Sequence, residues 1–245
     1  MISSRHFYSL LMAGLLWLGW NATPARAQNL KTEIWTASEI LLKISPELDP
    51  GLNWHDIWPD TLRLYTELQE GPGFPSMSQL LWRMGPIWDL HPNFSLATHF
   101  TNAVAQNLRQ KTFIEEHRFE LEPTIRGRLL PWLAWANRQR LEYRIRPDHQ
   151  RWRYRNRIGL SIDLPDKNWI PFLSSEFFFD LSGEDFNQNR SIVGLGWQIN
   201  PSIRMNFSYI FRSLKQQGVW ETSHVAFISL IYTSRENAIF QLQSD

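Results

Sequence analysis

Residues Asn137–Ile158 read NRQRLEYRIRPDHQRWRYRNRI, and the period of this stretch decides the fold. Eight of the twenty positions from Arg138 to Arg157 are arginine. Such a density suggests a nucleic-acid patch until the residues between the arginines are read. Leu133, Trp135, Asn137, Gln139, Leu141, Tyr143 and Ile145 fall on one face, and Arg138, Arg140, Glu142, Arg144 and Arg146 on the other. Pro147-Asp148-His149-Gln150 has the composition of a turn. Beyond it Trp152, Tyr154, Asn156, Ile158 and Leu160 oppose Arg151, Arg153, Arg155 and Arg157. A helix would scatter these arginines around its circumference, whereas a hairpin of two strands sets all eight on one side.

The same period of two runs outward in both directions. Downstream, Glu176 and Asp180 oppose Leu173, Phe177, Phe179 and Leu181; Arg204, Asn206, Ser208 and Arg212 oppose Ile203, Met205, Phe207, Tyr209 and Phe211. Upstream, Glu116, Arg118, Glu120 and Glu122 share one face of Thr112–Pro123, and Arg63, Glu67 and Gln69 oppose Leu62, Leu64 and Leu68. Ile34–Ile44, Leu80–Leu90 and Phe94–Ala105 are further strand candidates, and SHVAFISLIYTS closes the series. About eleven such segments can be counted. Single-chain bacterial barrels usually have an even number, so the range is ten to twelve strands, with twelve preferred. The expected fold is all-β: a transmembrane, antiparallel, up-and-down β-barrel.

Two features favour a membrane barrel over a soluble one. The segments match the ~9–11 residues that cross a bilayer at a tilt, whereas soluble strands average about five or six. The tryptophans also fall into two bands on the up-down path. Trp132, Trp135, Trp169 and Trp197 lie near one rim, and Trp152 and Trp220 near the other, as expected of membrane-interface aromatics. A soluble periplasmic ligand-binding barrel would bury the apolar face instead. Short turns and both termini belong on the periplasmic side of a membrane barrel. The Asn200-Pro201 turn then marks that side, and Pro147–Gln150, Ser182–Asn187 and Leu214–Thr222 face outward.

The N-terminus supplies the means of export. Arg5 and His6 precede an apolar stretch from about Leu10 to Trp20, and Ala25-Arg26-Ala27 offers a small-x-small cleavage site. This is the layout of a secretory signal peptide, too short in its apolar part to span a bilayer as a helix. Residues 1–27 are therefore expected to be removed after Ala27, leaving residues 28–245 as a single barrel domain. Removal takes away two basic residues (Arg5, Arg26) and no acidic ones, so 25 Lys+Arg fall to 23 against 24 Asp+Glu. A formal charge of −1 excludes a dedicated nucleic-acid binder. The chain has no cysteine, so neither disulfides nor a cysteine-linked lipid anchor can hold it.

In a membrane barrel the charged face must turn inward, because an arginine facing lipid at mid-membrane costs ~2–4 kcal/mol. The lumen-lining charged residues are then Glu116, Arg118, Glu120, Glu122, Arg138, Arg140, Glu142, Arg144, Arg146, Arg151, Arg153, Arg155, Arg157, Glu176 and Asp180. Adjacent arginines repel, so the carboxylates on the neighbouring strands are read as their partners. Such a network fills a lumen and leaves it partly open, either as structure or as a wall selective for anions.

RQRLEYRIR, then RWRYRNRI, SSEFFFDL, RSIVGLGWQI and a closing aromatic hairpin resemble a bacterial outer-membrane β-barrel family known as domain of unknown function 2490. The resemblance is clearest over Glu115–Thr233 and looser from Ile34 to Asn107. It implies a barrel in the outer membrane of a Gram-negative-type cell, with outer-membrane lipid and the barrel-assembly machinery as partners. It implies no activity and no catalytic residues. Ser234–Asp245, beyond Tyr232, departs from the aromatic C-terminus usual in barrels.

Little in the sequence points to chemistry. The H-x-S-N-G type of motif of outer-membrane phospholipases is absent, and Ser223 and His224, as neighbours on a strand, point to opposite faces. A lipid-active interfacial hydrolase remains the alternative reading, with alanine replacement of His224 as its test. There is no H-x-x-x-H or cysteine cluster for a metal, and Glu115-Glu116-His117 reads as strand alternation. Gly194 and Gly196 sit on a strand, where small residues make room for bulky neighbours. No cofactor is expected. The reading is an outer-membrane β-barrel, structural or a narrow pore, with an Arg/Glu-lined lumen.

Overall fold

A computed structural model describes residues 31–43, 59, 61–70, 77–107, 112–163, 168–183, 186–216 and 218–234. The expected signal peptide and most of the segment after Tyr232 lie outside them. The described elements are all strands: β1 (Lys31–Lys43), β2 (Thr61–Glu70), β3 (Met77–His91), β4 (Phe94–Asn107), β5 (Thr112–Leu130), β6 (Leu133–Ile145), β7 (Gln150–Ile162), β8 (Trp169–Asp180), β9 (Phe186–Asn200), β10 (Ile203–Gln216) and β11 (Val219–Thr233). Each pairs with its sequence neighbours, and β1 pairs with β11 to close the barrel.

The described barrel has eleven strands, and neither an even number nor twelve. An up-and-down sheet with an odd strand count brings its first and last strands together pointing the same way. The closing pair is accordingly parallel, from Lys31↔Ser223 to Leu41↔Thr233, while every other pair is antiparallel. This corrects the expectation that both ends meet at one rim. β1 begins at the rim of the Arg146–His149 loop, and β11 ends at the other.

The second rim is built on proline. The turns His91-Pro92-Asn93-Phe94, Leu130-Pro131-Trp132-Leu133 and Asn200-Pro201-Ser202-Ile203 each place proline first of the two residues between paired strands. There its fixed φ is useful and its missing N–H costs no ladder bond. Each turn is tied to the following strand pair by its second carbonyl. Asn93 O accepts from Arg126 N at 3.0 Å, Trp132 O from Asp163 N at 2.9 Å, and Ser202 O from Thr233 N at 2.8 Å.

Two boundaries differ from the sequence reading. The expected loop Leu214–Thr222 is strand on both sides, because Gln216 pairs with Val219. Gly218 makes this tight reversal possible with φ of 81°, a left-handed conformation that other residues rarely adopt. β5 continues seven residues beyond Pro123 to Leu130. Pro123 lies directly opposite Leu96 in the ladder, so the proline interrupts the bonding without ending the strand.

Alternation sorts most of the side chains by polarity. Phe119 is 54 % exposed and Ile158 49 % on the outer face, along with Leu80, Leu173, Val193, Phe207, Ile228 and Leu230. The buried residues include Glu116, Glu120, Glu122, Glu142 and Glu176, all on the inner face. The interior is thus more polar than the exterior, the reverse of a soluble domain. One part of the interior is nevertheless apolar: Trp35, Ile192, Ile210 and Val225 pack together with Phe172 and Phe227 against them. Gly194 is needed here, since a Cβ would come within 2.3 Å of the Phe172 ring.

Candidate functional site: the arginine-lined lumen

The β6–β7 hairpin pairs Arg138 with Arg157, Arg140 with Arg155, and Arg144 with Arg151. Like charges placed directly opposite are destabilising unless neighbouring groups compensate. Compensation comes from the strands on either side. From β5, Glu116 accepts from Arg144 at 2.5 Å and from both Arg118 and Arg146, so one carboxylate serves three guanidiniums. Glu122 accepts from Arg140 Nε at 2.6 Å and from Arg63 at 3.1 Å. Glu120 meets Arg83 at 2.9 Å and Arg140 at 3.4 Å, and it also accepts from the Thr101 hydroxyl at 2.9 Å.

From within the hairpin and from β8 the pattern continues. Arg155 bridges Glu142 at 2.6 Å and Glu176 at 2.7 Å. Arg138 reaches Glu176 at 3.4 Å, and Arg151 reaches Asp180 at 3.1 Å. Every carboxylate expected to line the lumen therefore has a guanidinium partner in the structure. Two arginines of the hairpin have no carboxylate partner among the described residues: Arg153 lies over the Phe178 ring at 5.9 Å, and Arg157 donates to Ser174 Oγ at 3.1 Å.

The acids and bases lie at different depths. A lumen cavity of about 930 Å³ is lined by all sixteen described arginines. Of the carboxylates, Glu39, Glu67, Glu142 and Glu176 reach its surface, whereas Glu116, Glu120, Glu122 and Asp180 lie behind the guanidiniums against the wall. The near-balance of charge in the whole chain thus conceals a cationic inner surface.

Several lining residues lie outside the expected lumen set, although the sequence places Arg63, Arg204 and Arg212 on polar strand faces. Arg63 pairs with Glu39 at 2.8 Å, and Arg212 with Glu33 at 3.3 Å. Arg190 lies 4.9 Å over each of the Trp35 and Phe178 rings, and Gln188, with its amide oriented oxygen toward Arg190, accepts from Arg190 Nε at 2.8 Å. Arg204 Nε is buried with no hydrogen-bond partner among the described residues. Each occupies the polar face of its own strand, which is the signal that could have found it. Trp35 carries no such signal, because it stands on the same face as Glu33 and Glu39.

The six tryptophans lie near the barrel ends. Trp132 is in a proline turn; Trp169 and Trp197 stack near that rim with centroids 5.5 Å apart, and Trp135 lies two residues inside the start of β6. Trp152 and Trp220 are near the loop rim, against Tyr143 at 4.8 Å and Phe186 at 5.4 Å. In that rim's loop, His149 bonds Asp148 at 2.8 Å and holds its carboxyl below the usual range.

Ser223 faces the lumen and is buried, whereas His224 faces outward and contacts the Tyr209 hydroxyl. The strand therefore separates the pair that an interfacial hydrolase would need. Among the described residues, no group of three or more His, Cys, Asp or Glu side chains is arranged to hold a metal ion.

An eleven-strand closed barrel with a charged lumen defines the class. A family model described as protein of unknown function (DUF2490) matches residues 32–223, and the chain belongs to that family. The match takes in β1–β4, where the sequence resemblance was looser, and ends at Ser223 inside β11. No curated protein matches the chain.

Proposed function

We propose that the chain is a β-barrel of the bacterial outer membrane, exported through residues 1–27 with cleavage after Ala27. Its lumen serves as a narrow pore that prefers anions. The observation that carries this reading is the inversion of polarity: the outer face is largely apolar, broken on β6–β9 by the hydrogen-bonded Asn137, Gln139, Asn156, Ser175 and Asn189, and the buried charges face inward. An apolar surface of this extent is unstable in water and stable in lipid. Aromatic rings near both ends suit the two bilayer interfaces. Outer-membrane lipid surrounds the belt, and the barrel-assembly machinery inserts it.

The test is fractionation followed by electrophoresis. The full chain is expressed with its leader, outer membranes are isolated, and unheated and boiled samples are compared on a detergent gel. A mobility shift on boiling, in the outer-membrane fraction, is the expected result. Planar-bilayer recording should then show small conductance steps with a reversal potential favouring chloride over potassium. Recovery of soluble periplasmic protein without a shift would overturn the membrane reading. A folded barrel that never conducts would leave it a structural barrel.

A further inference from the structure

The lumen's ion pairing is incomplete at specific places. Arg153, Arg157, Arg190 and Arg204 line the cavity with no carboxylate within ion-pairing distance among the described residues, while the other described arginines each have one. Arg153 Nε and Arg204 Nε are also buried without any hydrogen-bond partner. Arg157 and Arg190 stand on either side of Glu176 in one continuous row, through the pairings Arg157↔Glu176 and Glu176↔Arg190. The row extends at both ends into further arginines, Arg138 opposite Arg157 and Arg212 opposite Arg190. Within this row Glu176 is engaged by Arg155 and Arg138 at 2.7 and 3.4 Å and Arg212 by Glu33 at 3.3 Å, which leaves Arg157 and Arg190 as its two members without a carboxylate.

Two guanidiniums without a carboxylate on a partly buried wall are unfavourable unless an anion completes them. Guanidinium forks match the planar, multidentate geometry of oxyanions, and the cavity's volume suits a small solute. We propose that this row is a binding site for a small, multiply charged oxyanion, of the phosphate- or carboxylate-bearing class. Arg157 and Arg190 are its anchors. The proposal rests on the reading of the lumen as an accessible passage; it names the solute class and the place where that solute pauses.

The experiment uses the full-length mature barrel, purified in detergent and shown to be folded by its boiling shift. Inorganic tripolyphosphate and citrate are the probes, compared with chloride at matched ionic strength. Tripolyphosphate should raise the thermal midpoint, and calorimetry should give a saturable isotherm. The R157Q/R190Q double variant should lose at least tenfold in affinity while keeping its boiling shift. Its ligand-free midpoint should be equal or higher, because a repulsion has been removed; a merely structural role predicts a lower one.

R204Q, away from the row, should change tripolyphosphate affinity less than threefold. Citrate binding without tripolyphosphate binding assigns the carboxylate class, and the reverse the phosphate class. Stabilisation by matched chloride alone, equal effects in R157Q/R190Q and the parent, or no binding by either probe would overturn the proposal. A chain with no boiling shift that still binds tripolyphosphate would separate this site from the membrane reading, which would then fail alone.

Discussion

The lumen has two unlike halves. From β5 to β8 its wall is a lattice of arginines over buried carboxylates, with single acids shared among as many as three bases. From β9 through β11 to β1 it is a wedge of Trp35, Ile192, Ile210 and Val225, roofed by the guanidiniums of Arg190 and Arg212 at 4.9 and 5.6 Å from the Trp35 ring. Both halves fill space inside one closed sheet. The first fixes its geometry through directional bonds that fail together when one member is lost; the second tolerates adjustment until volume is exceeded. The rigidity of the wall should therefore be set by the ionic half, and closure of the bore by the apolar one.

The largest effect should come from breaking the ionic half at its most shared point. E116A strands Arg118, Arg144 and Arg146 together, and unfolding by urea in detergent micelles should show a loss of about 3–5 kcal/mol. A smaller loss than that of a single surface pair would show that water, and not Glu116, compensates these bases. Next come substitutions outside the barrel, where the two halves should behave alike. I158R outside the ionic half and I228R outside the apolar half should each cost about 2–4 kcal/mol for insertion into lipid vesicles. A large difference between them would mean that the apolar belt is not uniform.

The apolar half is sharpened by G194V. Its added side chain collides with the Phe172 ring, and overpacking of this kind costs about 1–3 kcal/mol by the same urea assay. Pairing it with F172A should restore part of the loss. The smallest effect is expected at the proline rim. W169A removes one partner of the stacked Trp169–Trp197 pair and should cost about 0.5–1.5 kcal/mol beyond lost area in micelle unfolding.

The same division explains what the sequence makes legible. In β6 and β7 arginine alternates with Leu, Tyr, Trp and Ile, so the period, the faces and the turn can all be read, and the observed register places Arg138 opposite Arg157. In β11, Val225, Phe227 and Ile231 face inward while Ala226, Ile228 and Leu230 face outward. With apolar residues on both faces, alternation carries no signal, and the wedge around Trp35 stayed hidden. Pro123 and Gly218 misled for local reasons. The first interrupts bonding without ending a strand, and the second turns the chain in two residues where a loop was expected. The parallel closure was illegible for a different reason: it depends on the parity of the whole series, which no single segment encodes.

That closure also bears on how the barrel is made. Lys43 N donates to Ser234 Oγ at 2.8 Å across 191 residues of chain, whereas the antiparallel pairs join consecutive strands. Neighbouring hairpins can zip in any order at small entropic cost, but the β1–β11 seam can form only when all the others exist. Until then two long strand edges stand open, each a template for a second chain. The seam should be the last contact made on folding and the slowest step. Chains cut before β11 lose the parallel seam and leave the β1 and β10 edges unpaired, so they should aggregate more than the full chain.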